Sequence, residues 1–111
     1  MVVIDFWASW CVACRAEQPD LNALANAYEG RGVRFLGDDM RDSLAPAQSY
    51  VREFHVRYPS VVDASSDIAA AFGVGAPPTV IVVDQRGRIV GRYLGTVTGV
   101  AQQLDALTHR A

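Results

Sequence analysis

The 111-residue chain has little of most things that announce a function. It holds only two cysteines, Cys11 and Cys14, too few for a small fold stapled by several disulfides. Its formal net charge of −2 supplies neither a basic stripe for nucleic acid nor an acidic solvating tail. No apolar run approaches the ~20 residues that a membrane-spanning helix needs. No internal repeat, low-complexity tract or linker interrupts it. A signal peptide is missing too: Met1 leads straight into Val2, Val3 and Ile4, without a cationic segment or a cleavage site. A chain that opens inside a strand predicts a targeting or anchoring segment, with further structure, outside this sequence; a compact native protein is the alternative reading. What is present is globular: 50% hydrophobic and 20% charged residues exclude a disordered chain, and the length suits one domain over 1–111.

The patterning predicts an α/β protein. Val2–Trp7, apolar but for Asp5, reads as a buried central strand. A helix opens near Cys11 and carries Leu21, Leu24, Ala25 and Tyr28 on one face, with a kink expected at Pro19. After Gly30-Arg31-Gly32, Val33–Leu36 reads as a second strand and Asp38–Ser43 as a polar loop, with Ser43 as the N-cap of the next helix. That helix shows Leu44, Ala47, Val51 and Phe54 and stops at Tyr58-Pro59. Val61–Asp63 is a brief extended piece. Ser65, Ser66 and Asp67 are expected to cap a short helix ending at Gly73. Thr79–Val83 and Ile89–Leu94 flank Asp84–Gly87 as a hairpin, and Thr98 caps a last helix with Val100, Ala101, Leu104 and Leu107. Helical crossovers make the early strands parallel, and the hairpin adds antiparallel ones. The expected architecture is a mixed four-stranded sheet with helices on both faces, and chemistry at the carboxyl end of the first strand. The Val33–Leu36 strand is a candidate sheet edge, through which an otherwise monomeric protein would dimerise.

Cys11 and Cys14 stand three residues apart, so a helix starting near Cys11 puts both sulfurs on one face within bonding reach. In the first turn, unpaired N–H groups and the helix dipole favour a thiolate at Cys11, the attacking species in disulfide exchange, and Arg15 adds positive charge. Cys14, deeper in the helix, suits the resolving role. A purely structural disulfide would close too short a loop to stabilise much. A zinc site would need two more ligands, and His55 and His109 lie far apart. Haem attachment needs histidine where Arg15 stands. The spacing therefore reads as a redox-active dithiol.

Asp5-Phe6-Trp7-Ala8-Ser9-Trp10-Cys11-Val12-Ala13-Cys14 resembles the active-site segment of thioredoxin-like proteins, and Gly75-Ala76-Pro77-Pro78-Thr79 resembles their cis-proline loop. Cys14–Pro19, Tyr58-Pro59 with Asp63, and Val83–Val90 look like the extracytoplasmic TlpA/ResA-type branch, whose members are exported or membrane-anchored disulfide reductases, often of cytochrome c maturation. The likeness runs from residue 1 to about 108. It implies Cys11 as nucleophile, Cys14 as resolving thiol and Pro78 as a cis residue packed against the pair. Trp10 would border the thiol, and Ala76, Pro77, Pro78, Thr79 and Gly95 would line the substrate groove. The plainer readings are a trans loop proline at 78, core packing for Trp7 and a simple strand terminator at Gly95. No cofactor is implied. The partners implied are protein thiols and disulfides, with an upstream membrane or soluble electron donor, and the location is outside the cytoplasm.

Cys14 must lose a proton to act, and two acids are candidates to take it. Asp5 sits within an apolar strand, where a charge is costly without a role or partner. Its alternative is a carboxyl satisfied by backbone. Thioredoxins carry an acid there, whereas the TlpA/ResA branch more often has asparagine. Glu17 matches that branch's active-site glutamate and would tune the titration, the alternative being a solvated helix residue. The expectation is a desolvated Asp5, raised in pKa, as proton acceptor for Cys14. Three features depart from the family. Val12-Ala13 lacks its usual proline, which frees the Ala13 N–H for the Cys11 thiolate and leaves the redox direction open. Pro77 has no N–H to offer a substrate strand. Asp38 and Asp39 in Gly37–Met40 read as loop formers or as a repellent for acidic substrates. The reading is a thiol–disulfide oxidoreductase, reducing protein disulfides; the alternatives are a disulfide oxidase or isomerase, a metal-handling thioredoxin-fold protein, and a non-catalytic binding module.

Overall fold

The computed structural model describes residues 1–108; His109 lies outside the described residues. The elements are β1 (Val2–Trp7), α1 (Val12–Tyr28), β2 (Arg34–Met40), α2 (Leu44–Glu53), β3 (Ser60–Asp63), α3 (Asp67–Ala71), β4 (Thr79–Val83), β5 (Ile89–Leu94) and α4 (Val100–Thr108). They form one mixed sheet in the order β3-β2-β1-β4-β5. β1 runs parallel to β2, β2 parallel to β3, and β4 antiparallel to both β1 and β5.

The expected α/β architecture is thus present, with one strand more. Ser60–Asp63 is long enough to pair with Gly37–Met40, so the sheet has five strands rather than four. The strand expected as an edge at Val33–Leu36 is second in the sheet order, with β3 and β5 at the borders, although β3 pairs only with its Gly37–Met40 half. β2 also runs to Met40, so Asp38 and Asp39 are strand residues at 2% and 1% exposure, not loop formers. Three further expectations are refined. The α1 helix continues through Pro19. Neither Ser43 nor Ser66 uses its hydroxyl as a cap. Asp63 does that work for α3, its carboxylate accepting from the N–H groups of Ile68 at 3.2 Å and Ala69 at 2.9 Å. A carboxylate is a stronger acceptor than a hydroxyl, so the more distant residue wins.

The sheet's period of two splits the core. Val3 and Trp7 join Leu21 and Ala25 of α1, Ala47 and Tyr50 of α2, and Val100 and Leu104 of α4. Phe6 turns to the other face, with Met40, Val74, Ile81 and Ala69 of α3. The α1 stripe of Cys14, Gln18, Leu21, Ala25 and Tyr28 is buried at helical spacing. Burying one leucine of that stripe contributes about 2 kcal/mol, so the stripe holds α1, and with it the first cysteine, against β1.

Trp7 is fastened on two sides: its ring stacks on Tyr50 at 4.5 Å and its Nε1 donates to Ser60 Oγ at 3.0 Å. Gly37 makes room for this, because a Cβ there would collide with Ser60 Oγ and come within 2.8 Å of Trp7 Nε1. Ser60 could swing away only by giving up the indole. Gly37→Ala is therefore expected to destabilise the protein by ~1–3 kcal/mol, the usual range for overpacking. Urea unfolding followed by tryptophan fluorescence checks this, and an unchanged midpoint would show that the contact is slack.

Candidate active site

β1 delivers the chain through Ala8-Ser9-Trp10 to Cys11, which is the N-cap of α1 with extended backbone (φ −88°, ψ 109°). Cys11 and Cys14 form a disulfide, with Cα atoms 5.2 Å apart. The Cys14 N–H donates to Cys11 Sγ at 3.1 Å. The Cys11 sulfur thus accepts from a helix-terminal N–H that has no intrahelical partner, which favours a thiolate after reduction. Both cysteines are buried in this oxidised state, at 6% and 3% exposure. Arg15 is engaged elsewhere than at the cysteine: its Nε donates to Ser9 O at 3.1 Å, its Nη1 meets Glu53 at 3.4 Å, and its guanidinium lies over the Tyr50 and Phe54 rings. Trp10 is half-exposed, and its Nε1 donates to Arg41 O at 2.8 Å.

The Pro77–Pro78 peptide bond is cis. Thr79 pairs with Phe6 across β4 and β1, which sets Pro78 beside the end of β1 that leads to the cysteines. Ala76, Pro77, Pro78, Thr79 and Gly95 share one cleft of about 490 Å³ with Arg92 and Leu94. Gly95 donates its N–H to Pro78 O at 2.9 Å with φ +72°, so its backbone closes the cis-proline loop in a conformation that favours glycine. Thr79 Oγ1 donates to Ala76 O at 2.8 Å.

Asp5 is 1% exposed. Its Oδ2 accepts from the Tyr58 hydroxyl at 2.7 Å, and its Oδ1 is buried without a partner among the described residues. Burial pushes its pKa up to about 7, against the Tyr58 hydrogen bond and with help from the charge of Glu17. The network continues: Gln18 Nε2 donates to Tyr58 Oη at 2.8 Å, and the Tyr50 hydroxyl lies 3.0 Å from Gln18 Oε1 and 3.1 Å from Cys14 O. Buried hydrogen bonds therefore link Asp5 to the backbone of the second cysteine. Gln18, Tyr50 and Tyr58 escaped the sequence reading as site residues; the available signal was a glutamine one turn after Cys14 within an apolar stripe. Glu17 is half-buried, and burial, then the nearby Asp20, raises its pKa.

Two more carboxyls are raised. Asp38 is pushed up to about 7 by burial and by Asp63, and Asp39 to about 8 by burial and by Asp42. Among the described residues no group of three His, Cys, Asp or Glu could hold a metal ion, and no helix is long and apolar enough to cross a membrane.

The profile of the family described as Redoxin matches residues 1–107. The thiol-disulfide oxidoreductase ResA of Geobacillus thermodenitrificans is 29% identical over 108 residues, which cover 96% of this chain and 62% of that protein. The thiol:disulfide interchange protein DsbE of Pseudomonas fluorescens biotype C is 32% identical over 99 residues, 88% of this chain and 53% of that one. The chain thus spans a little over half the length of these curated relatives. The structure of MTB dsbF, in mixed oxidized and reduced forms, superposes with a TM-score of 0.87 at 27% identity, covering 96% of this chain and 80% of that one. The fold is thioredoxin-like, as the motifs imply.

The raised carboxyls make stability fall as pH rises. Asp5, Asp38 and Asp39 hold protons in the folded state that the unfolded chain releases near pH 4, so folding is favoured below that pH and loses ground until the folded values near 7 to 8 are passed. Asp42 and Asp63, whose pKa values are lowered, act the other way only below about pH 4. Unfolding free energies from urea titration are expected to be highest at mildly acidic pH and to fall steadily towards pH 8. A flat or rising profile from pH 5 to 8 would show these acids ionised in the fold.

Proposed function

The chain belongs to the redoxin family, and from that premise we propose that it is a thiol–disulfide oxidoreductase that reduces protein disulfides through Cys11 and Cys14. One observation carries the proposal: the two sulfurs bond at the start of α1, on the sheet face that also buries Asp5, whose Oδ1 has no partner among the described residues. The names of the ResA and DsbE relatives support the same reading.

In the proposed cycle the Cys11 thiolate attacks a substrate disulfide. A Cys11–substrate bond forms, and the other substrate sulfur leaves as a thiolate that takes up a proton. Ionised Asp5 then accepts the Cys14 proton, directly or through water, and the Cys14 thiolate attacks Cys11 Sγ. The Cys11–Cys14 disulfide forms and the second substrate sulfur leaves reduced. The protein dithiol has lost two electrons to the substrate, and an upstream donor must restore it. A carboxyl titrating near 7 is matched to this step, since it is ionised often enough to accept and basic enough to pull. Glu17 raises Asp5 by its charge and so tunes the pair.

The cleft formed by Ala76–Thr79 and Gly95, with Trp10 at the thiol's border, would take the substrate chain. Pro77 has no N–H, so the substrate strand pairs there through carbonyls or with one bond fewer. Reduction of protein disulfides outside the cytoplasm, in a setting such as cytochrome c maturation, is the setting we infer from the TlpA/ResA-type motifs. This domain would act as a monomer served by a membrane or soluble donor.

Substitution separates the roles. Cys11→Ser is expected to abolish turnover of a small disulfide substrate, and Cys14→Ser to accumulate the mixed disulfide. Asp5→Asn is expected to slow the resolving step ~100-fold or more, the usual worth of a positioned base, and to flatten its rate between pH 6 and 9. Turnover that survives Cys11→Ser would overturn the nucleophile assignment. An unchanged Asp5→Asn rate would remove that carboxyl from the mechanism.

A further inference from the structure

The turn that carries the nucleophile hangs from the connection between β2 and α2. The Ser9 N–H donates to Asp42 Oδ2 at 2.7 Å and the Ser9 hydroxyl to Asp42 Oδ1 at 2.9 Å. The Trp10 indole adds its bond to Arg41 O at 2.8 Å, and Asp42 also caps the Ser43 N–H at 2.9 Å. Behind this clamp stands Asp39. It is paired with Trp7 in the register of β1 and β2, and it is 1% exposed. Neither of its carboxyl oxygens receives a hydrogen from an N–H or O–H donor among the described residues. The carboxyl of Asp42 acts on it electrostatically and, with burial, raises its pKa. Of the two carboxyls Asp39, the more deeply buried, is the one that costs most to ionise.

We propose that Asp42 is a positioning residue for disulfide exchange, holding Ser9–Cys11 in the geometry of attack, with Asp39 buried behind it on β2. The proposal rests on reading Cys11 as the nucleophile. Disulfide exchange needs the attacking, central and leaving sulfurs nearly in line, so a turn free to drift would lose orientation before it lost fold. The Cys11 N–H is bonded to Ala8 O at 3.2 Å, inside the clamped turn, so the clamp acts one residue from the sulfur's own backbone.

The charges agree with the geometry. Burial opposes it, but Asp39 and the bonds from Ser9 hold Asp42 below the usual carboxylate range. Asp39 therefore keeps its proton through neutral pH and gives it up near 8. The charged and titratable groups around Asp39 are Asp42 on the connection, Asp38 beside it on β2, Arg52 on α2, and Tyr58 across the shared cleft, while Asp5 lies further along β1. Arg41 lies on the connection, and Arg15 of α1 bonds Ser9 O from the other side of the turn. Above pH 8 the Asp39–Asp42 pair carries two negative charges, and the clamp should loosen.

The test uses the full chain in its reduced form, with amide hydrogen exchange read at Ser9, Trp10 and Cys11 as protection factors, beside kcat/KM for a small disulfide. Asp42→Ala is expected to cut Ser9 protection and kcat/KM by about tenfold, the loss of a charge-assisted hydrogen bond. Asp42→Asn, which keeps an acceptor for the Ser9 N–H, should recover most of both. In the wild type, Ser9 protection should decline as pH passes 8. In Asp39→Asn, whose amide does not titrate, the profile should be flat. Unchanged Ser9 protection in Asp42→Ala would overturn the proposal. So would an Asp39→Asn profile that keeps the decline, which decides the matter even if Asp42→Ala does not fold. A wild type that reduces no disulfide would instead sink the functional reading, and the protection factors would still judge the clamp.

Discussion

Asp5 is a carboxyl that the sheet keeps away from water, and the rest of the site is arranged around that constraint. A lone ionised carboxylate in an apolar interior would cost several kcal/mol, and folded proteins avoid the cost by pairing the group or leaving it protonated. This protein does some of each. The Tyr58 hydroxyl occupies Oδ2, while Oδ1 is left open and its proton is held up to about pH 7. A second donor on Oδ1 would lower the value towards the ordinary carboxylate range.

The support for this arrangement comes from distant parts of the chain. Tyr58 follows α2 and reaches a residue 53 positions earlier; Gln18 and Tyr50 extend its hydrogen bond to the carbonyl of Cys14. Because β1 and α1 share one packed face, anything that shifts α1 moves the cysteines and the acid's partners together. The other end of the site is held independently, where the β2–α2 connection grips Ser9 and Trp10. The turn that leads to Cys11 and the buried Asp5 are thus held by separate stretches of the connection between β2 and β3.

The parts of this structure legible in the sequence are those with a local period or a local spacing. Val2–Trp7 and Thr79–Val83 announce themselves by β-branched runs, the α1 face by its spacing, and the dithiol by its three-residue step. Asp38 and Asp39 read as loop because charge is normally assigned to solvent, but both are buried, and burial with a neighbouring carboxyl raises the pKa of each. The same bias hid the five-stranded sheet: once β2 reaches Met40, β3 has a partner. Tyr58 read as a helix stop and as part of a family motif with Pro59, but not as a site residue, since a hydrogen bond across half the chain leaves no trace in neighbouring residues. Asp63 displaced the serine expected to cap α3 because a carboxylate accepts more strongly than a hydroxyl.

The central claim is that Asp5 is a neutral-range acid poised for Cys14. It is tested most directly by following the carboxyl carbon of Asp5 by NMR across the pH range, with Tyr58→Phe as the internal control. The account requires a midpoint near 7 in the wild type, and a higher one when the Tyr58 hydroxyl is removed, since that bond holds the value down. A midpoint in the ordinary range near 4, unmoved by Tyr58→Phe, would contradict it.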